Sequence, residues 1–176
     1  MSGQTAAWEE GRTEADLASW LEQYGDRLLR MCTLYLKDPY LAEDAVQDAL
    51  LRAYRAWPSF RGDSTELTWL TGIAINVCRS YLRSPWKRRR VAAEAMDGLP
   101  AGGELRLPDD TLPRAIMALP RKYREVVLLH YYQELKAREI AALLGLSVSG
   151  VTVRLARARA QLKDALKGWY YDEDEE

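Results

Sequence analysis

Between Glu14 and Lys37 the apolar side chains Leu17, Leu21, Tyr24, Leu28, Met31 and Tyr35 recur at steps of four and three, which places them on one stripe of a helix. Pro39 interrupts that segment, because its ring cannot continue a helix. A second periodic run, Leu41, Ala45, Val46, Ala49, Ala53 and Tyr54, extends to about Trp57 with a charged opposite face. Residues 58–63 read as a loop with Gly62 as its flexible point. Asp63 or Ser64 stands where it can cap a third helix that has Glu66 in its first turn and runs to about Arg83.

Residues 84–112 hold Pro85, Gly98, Pro100, Gly102, Gly103 and Pro108 without sustained periodicity, and so read as a linker. Helical periodicity returns over 113–118, 121–132, 137–144 and 148–169. The expected organisation is therefore two small helical domains, 14–84 and 112–169, joined by a flexible linker at 85–111 and followed by an acidic tail at 170–176. Composition agrees with an all-α chain: Ala, Leu, Arg and Glu are abundant and there is a single Phe. No window holds eighteen uninterrupted apolar residues, and the first thirty residues carry Glu9, Glu10, Arg12, Glu14 and Asp16 in place of a signal-peptide core. A cytoplasmic protein without membrane insertion is expected. Cys32 and Cys78 stand far apart along the chain, with no CxxC pair and no neighbouring His, and read as buried free thiols.

A net charge of −1 changes meaning once it is divided along the chain. Residues 1–66 carry 7 basic and 12 acidic groups, for a net −5, whereas 67–90 carry 6 basic groups and no acidic ones. Residues 91–110 are at −4, 111–169 at +7 and the last seven at −5. Two basic blocks are thus flanked by acidic ones. Basic blocks attract phosphate through a salt-dependent interaction, while acidic segments repel DNA or meet a basic protein surface. The pattern points to two DNA contacts.

Residues 137–155 fit a helix-turn-helix. Ala141 is small where the helices approach, Gly145 permits a left-handed turn, Ser147 caps the second helix and Val151 plugs it onto the first. At about 100° per residue, Val151, Leu155, Ala158, Leu162 and Leu166 face inward. Ser149, Thr152, Val153, Ala156 and Arg157 face outward as candidate base readers, with Arg154, Arg159 and Lys163 as candidate phosphate contacts. Only Arg157 offers a bidentate guanine contact, worth about 1 to 3 kcal/mol, so selective binding needs a second grip on DNA.

The second basic block supplies a candidate. Asp44-Ala-Val-Gln47-Asp48, Phe60-Arg61-Gly62-Asp63-Ser64, and Thr68-Trp69-Leu70 with Ile73-Ala74 and Asn76 resemble the region 2 signature of bacterial sigma factors. Leu119-Pro120, residues 123–126, Glu139-Ile140-Ala141, residues 144–147 and Arg154-Leu155 with Arg157-Ala158-Arg159 resemble region 4. With no further domain between them, the chain resembles the short ECF (extracytoplasmic function) class over residues 14–84 and 112–167.

This resemblance implies that Asp44, Gln47, Asp48, Leu51 and Arg52 dock on the β′ clamp helices of core RNA polymerase, with the β subunit as a further contact. It implies minus-ten recognition and melting by Phe60, Arg61, Ser64, Trp69, Asn76, Arg79 and Arg83, and minus-thirty-five recognition by Ser149, Thr152, Val153, Arg154 and Arg157. Lys87 to Arg90 extend the cationic surface, and Trp69 reads equally as a stacking platform or a core residue. An anti-sigma protein is implied as a further partner, and a stress or envelope response as the setting. Ser80, Thr152 and Val153 depart from the usual pattern, so the likeness implies no promoter sequence. The 27-residue linker has a random-coil span of about 30 Å and a stretched limit of about 90 Å, against about 70 Å for two turns of DNA. Its acidic residues, Glu94 to Asp110, read equally as solvent-exposed or as occupants of a basic polymerase channel.

No catalytic constellation competes. His130, the one histidine, lies in the apolar stretch 126–132 and reads as a packing residue, and neither a Gly-rich phosphate loop nor metal-ligand spacing occurs. The expectation is no enzyme, no cofactor and no metal. The rival reading is a stand-alone helix-turn-helix regulator whose N-terminal half senses or dimerises, but such a half has no need of the aromatic, Asn-bearing basic segment 60–83.

Overall fold

The computed structural model describes residues 14–86 and 111–167. The chain separates into two compact units, Met1–Ala93 and Glu94–Glu176. All regular elements among the described residues are helical. The sequence-predicted linker, apart from its two ends, and the acidic tail lie outside the described residues.

In the first unit α1 (Glu14–Leu36), α2 (Pro39–Ala56) and α3 (Glu66–Arg83) pack pairwise into a three-helix bundle. On α1 the inward residue is Trp20, 1% exposed, and the sequence-predicted stripe residue Leu21 is 54% exposed. One residue is a rotation of about 100°, and the indole wins because a large ring buries more apolar area than a leucine. Lys37 ends α1 in a left-handed conformation (φ 60°), donating its N–H to the Thr33 carbonyl at 2.8 Å. Asp38 then caps α2 two residues earlier than the periodicity suggested. Its buried Oδ1 accepts from the N–H groups of Tyr40 (2.9 Å) and Leu41 (3.2 Å), while Pro39 takes a first-turn position that needs no donor.

Along α2 the buried stripe contains Ala42, Ala45, Ala49 and Ala53, small enough to let α1 and α3 approach on both sides. A single 3₁₀ turn, Trp57–Ser59, leads into the loop, where Gly62 has φ 76°. The cap of α3 is Thr65, whose Oγ1 accepts from the Thr68 N–H at 3.1 Å. Asp63 and Ser64, the expected caps, are exposed loop residues, and Thr65, with extended backbone, stands immediately before the first helical turn. Cys32 and Cys78, distant in sequence, meet between α1 and α3. A hydrogen bond with Cys32, followed by burial, holds the Cys78 thiol well above its ordinary pKa, and both cysteines are buried and free.

The second unit contains α4 (Thr111–Ala118), α5 (Arg121–Val127), a π-helical turn (Leu128–Tyr132), α6 (Ala137–Leu144) and α7 (Val148–Ala165). Helix α4 begins before Pro113, which sits in its first turn. Sequence periodicity suggested α-helix through Tyr132, but the last turn widens, and Leu135 N–H reaches the Leu129 carbonyl at 3.0 Å. Arg124 is 6% exposed and donates through Nη1 to the carbonyls of Met117 (3.2 Å) and Leu119 (3.0 Å), so one guanidinium ties α5 to the end of α4. Helix α7 ends at Ala165; the expected extension to Trp169 lies beyond the described residues.

Between α6 and α7 the chain bends by 106°, within the range of helix-turn-helix crossings. Gly145 adopts φ 67°, ψ 36°, Leu146 N–H closes onto the Ala141 carbonyl at 3.0 Å, and Ser147 Oγ accepts from Gly150 N–H at 3.0 Å. A Cβ at Gly145 would meet nothing within 4 Å, so the demand for glycine comes from the backbone angle alone.

Two stability predictions follow from these corners. Asp38→Ala should lower unfolding free energy by about 1 kcal/mol, with Asp38→Asn recovering most of it, measured by urea denaturation. Gly145→Ala should cost about 1 kcal/mol through its left-handed φ, and Gly145→Asn less, with thermal unfolding as the readout.

Candidate functional site

Burial of the alanine stripe turns the polar face of α2 outward. Asp44, Gln47 and Arg52 are exposed, Asp48 is half-buried, and Leu51 is 44% exposed among them. At steps of three and four these residues form one face over about two turns. The Asp48 carboxylate lies 3.6 Å from the Arg52 guanidinium and accepts a hydrogen bond from the Tyr81 hydroxyl of α3 at 3.2 Å. Burial, then the negative charge of Asp48, pushes the Tyr81 phenol well above its ordinary pKa, so it remains a donor. Asp48 therefore anchors α3 to α2 as well as standing on the outer face. Tyr81 escaped the sequence reading, since its partner is 33 residues away and on another helix.

On the other side of the bundle four rings gather. Trp57 stacks on Phe60 at 5.0 Å, Phe60 lies 4.9 Å from Trp69, and Trp20 meets Trp57 and Trp69 edge-on at 5.7 and 6.2 Å. The structure thus gives Trp69 a packing role, with part of its surface still open, and adds Trp20 and Trp57 to the residues that hold the loop. Glu66 accepts from Trp20 Nε1 at 3.3 Å and from the Tyr24 hydroxyl at 3.4 Å, tying the start of α3 to α1. The loop between these anchors presents Arg61 and Ser64 to solvent, with Phe60 half-buried beneath. Further along α3, Asn76 and Arg83 are exposed and Arg79 is half-buried. From Trp69 to Asn76 is about 10 Å along the helix axis.

In the second unit the inward set Val151, Leu155 and Ala158 is buried, leaving Ser149, Thr152, Val153, Ala156 and Arg157 exposed on α7 and Arg154 half-buried. The Thr152 hydroxyl donates back to the Val148 carbonyl at 3.0 Å, which leaves its oxygen lone pairs and methyl group outward. Val148 and Val153 are 49% and 46% exposed, apolar surface at the mouth of a candidate groove-binding helix. Arg159, read from sequence as a phosphate contact, is exposed and engaged with Tyr131: its Nε donates to the phenol oxygen at 2.6 Å, and its guanidinium lies 5.7 Å from the ring centre. The π-helical turn puts Tyr131 there, a displacement that periodicity could not reveal. It also lets His130 Nδ1 donate to the Leu135 carbonyl at 2.9 Å, so the histidine braces the turn and is half-buried, not a core residue.

Among the described residues no group of His, Cys, Asp and Glu is arranged to hold a metal ion, and no single helix is long and apolar enough to cross a membrane. The geometry offers polar, aromatic and cationic faces for macromolecules.

Comparison with known proteins bears on which macromolecules these are. Residues 20–88 match Sigma-70 region 2, and residues 109–162 match Sigma-70, region 4. The chain is 31% identical over 165 residues to the ECF RNA polymerase sigma factor SigW of Bacillus subtilis, covering 85% of this chain and 88% of that one. It is 34% identical over 141 residues, 74% of this chain, to the probable RNA polymerase sigma factor RfaY of Xanthomonas campestris, a longer protein of which the match spans 35%. Among solved structures it resembles the sigma factor RpoE of Bartonella quintana, crystallised with the anti-sigma factor NepR, at 25% identity and a TM-score of 0.71 over 86% of this chain and 97% of that one. Two helical units with outward faces of this kind, carrying regions 2 and 4 in that order, make the chain a member of the ECF RNA polymerase sigma factors, which are transcription initiation factors.

Proposed function

We propose that the two units divide promoter recognition between them, with residues 14–84 as the minus-ten domain, 112–169 as the minus-thirty-five domain and 85–111 as the tether. The observation that carries this reading is the separation of surfaces on the first unit. Helix α2 exposes an apolar residue, Leu51, within an acidic and polar face, which suits a basic protein partner. Helix α3 exposes an amide and cations, which suit nucleic acid. The first face, Asp44, Gln47, Asp48, Leu51 and Arg52, docks on the β′ clamp helices of core polymerase, and the β subunit contacts the remainder of the chain.

On the second face Asn76 both donates and accepts, as reading a base edge requires, while Arg79 and Arg83 follow the phosphates. The loop carrying Phe60, Arg61 and Ser64 receives an extruded base. Holding such a base offsets the few kcal/mol that unstacking costs. Because Trp69 is braced by Trp57 and Trp20, it contributes through the rigidity of the loop. On α7, Ser149, Thr152, Val153, Arg154 and Arg157 face the minus-thirty-five element, and Arg157 supplies the strongest base contact. Each grip alone is weak, and tethering both to one polymerase raises their effective concentration.

A protein anti-sigma factor is the matching regulator, since the solved relative is held by one. The protein then works in the cytoplasm with polymerase, as part of a stress or envelope response.

Run-off transcription with purified core polymerase is the direct test: activity without another factor supports the proposal, whereas tight unaided operator binding by the isolated chain supports a stand-alone regulator. Asn76→Ala should reduce permanganate-detected strand opening at least tenfold while leaving core association unchanged on native gels. Equal loss of both would remove Asn76 from this role. Leu51→Glu should weaken core association about tenfold with unaltered circular dichroism, because the side chain is already exposed.

A further inference from the structure

In the second unit an apolar groove of about 650 Å3 runs beside α7, walled by Leu112, Ile116, Val127, Tyr131, Leu162 and Leu166. Leu112 and Tyr131 are 46% and 50% exposed there. The volume falls within the range of roughly 300 to 1,000 Å3 that fits bulky ligands or side chains. One margin is cationic, with Arg159, Lys163 and Lys167 spaced four residues apart along the C-terminal part of α7 and just past its end. An occupant that is aromatic and acidic would satisfy both features.

The chain itself supplies one next to the groove. Helix α7 ends at Ala165, and the two residues that follow, Leu166 and Lys167, both line the groove. After them come Gly168, which permits a reversal of direction, then Trp169, Tyr170 and Tyr171, then five consecutive carboxylates, Asp172 to Glu176. Read back along α7, apolar wall at Leu166 and Leu162 alternates with cations at Lys163 and Arg159, so both kinds of group lie within reach of the segment.

We propose that residues 168–176 fold back across this groove in cis, seating the aromatic side chains on its apolar walls and placing the carboxylates against Lys163 and Arg159. Eight extended residues reach about 26 Å, and the eight helical residues from Lys167 back to Arg159 cover about 12 Å, so the segment is long enough. A tether this short supplies a local concentration in the millimolar range, at which a weak contact is well populated. The segment 87–110, which precedes α4 in the sequence, lacks the run of three aromatics followed by five acids. Covering Arg159 and Lys163 hides two cations at the far end of the candidate recognition helix, so the contact is a built-in competitor that an anionic or apolar partner of this surface must displace.

The test is methyl NMR on the full chain and on a chain ending at Lys167, following Ile116, Val127 and Leu162, with Val151 as the folding control. Removal of residues 168–176 should shift the groove methyls, and a synthetic peptide of that sequence should restore them. Replacing all five peptide acids by Asn or Gln should weaken its binding about tenfold, as expected for several partly exposed ion pairs lost together. Should truncation perturb folding, the full-length triple variant Trp169→Ala, Tyr170→Ala, Tyr171→Ala should give the same groove shifts. Unchanged groove methyls in the truncated or triple-variant chain overturn the proposal. So do shifts that depend on protein concentration, which indicate a second copy, or that follow Leu105→Ser with Leu107→Ser in place of truncation.

Discussion

The stripe of alanines on α2 is the constraint from which the first unit follows. Ala42, Ala45, Ala49 and Ala53 are between 0% and 1% exposed, and their small side chains let α1 and α3 close over that face. Once that face is buried, helix geometry leaves no freedom about what points the other way: Asp44, Gln47 and Leu51 must face solvent, because they lie at the complementary angles. The same logic orders the second unit. Val151, Leu155 and Ala158 are drawn inward against α5 and α6, and this alone turns Thr152, Val153 and Arg157 outward. In both units the outward face is what a packing decision leaves over, which is why rigid helices carry it.

The corners between helices position these faces. Lys37, Asp38 and Pro39 hold three consecutive roles, as left-handed stop, buried cap and first-turn residue, and together they set the direction in which α2 leaves α1. At the other end of α2, Trp57, Phe60 and Trp69 brace the loop from within, while Glu66 is held by two donors of α1. A loop so supported presents Arg61 and Ser64 without large rearrangement, and preorganisation of that kind lowers the ordering cost of binding. The Gly145 turn does the same for α7, since its backbone angle, unaided by packing around a side chain, sets how the helix is presented.

Charge is distributed consistently with a protein whose partners are of two kinds. An acidic and polar helix face with one exposed leucine suits a protein partner, and separate cationic helices suit nucleic acid, so the near-zero net charge conceals opposed surfaces. The contact of Arg159 with Tyr131 fixes the direction of one cation on α7 without removing its charge.

The sequence by itself determined the helices, the two-part division and the outward faces, because apolar period, proline and glycine act locally and within a few residues. It also specified the helix-turn-helix, whose Ala141, Gly145, Ser147 and Val151 are read at fixed spacing. Only the tertiary structure decided what depends on a partner distant along the chain. Trp20 displaced Leu21 from the core because two aromatic rings from elsewhere, Trp57 and Trp69, pack against it, Cys32 met Cys78, and Tyr81 found Asp48. The π-helical turn that carries Tyr131 to Arg159 belongs to the same class, since its extra backbone width is set by packing and leaves no mark on the hydrophobic period. Local rules fix which side of a helix is buried, but the neighbour that fills the space beside it is chosen by the whole fold.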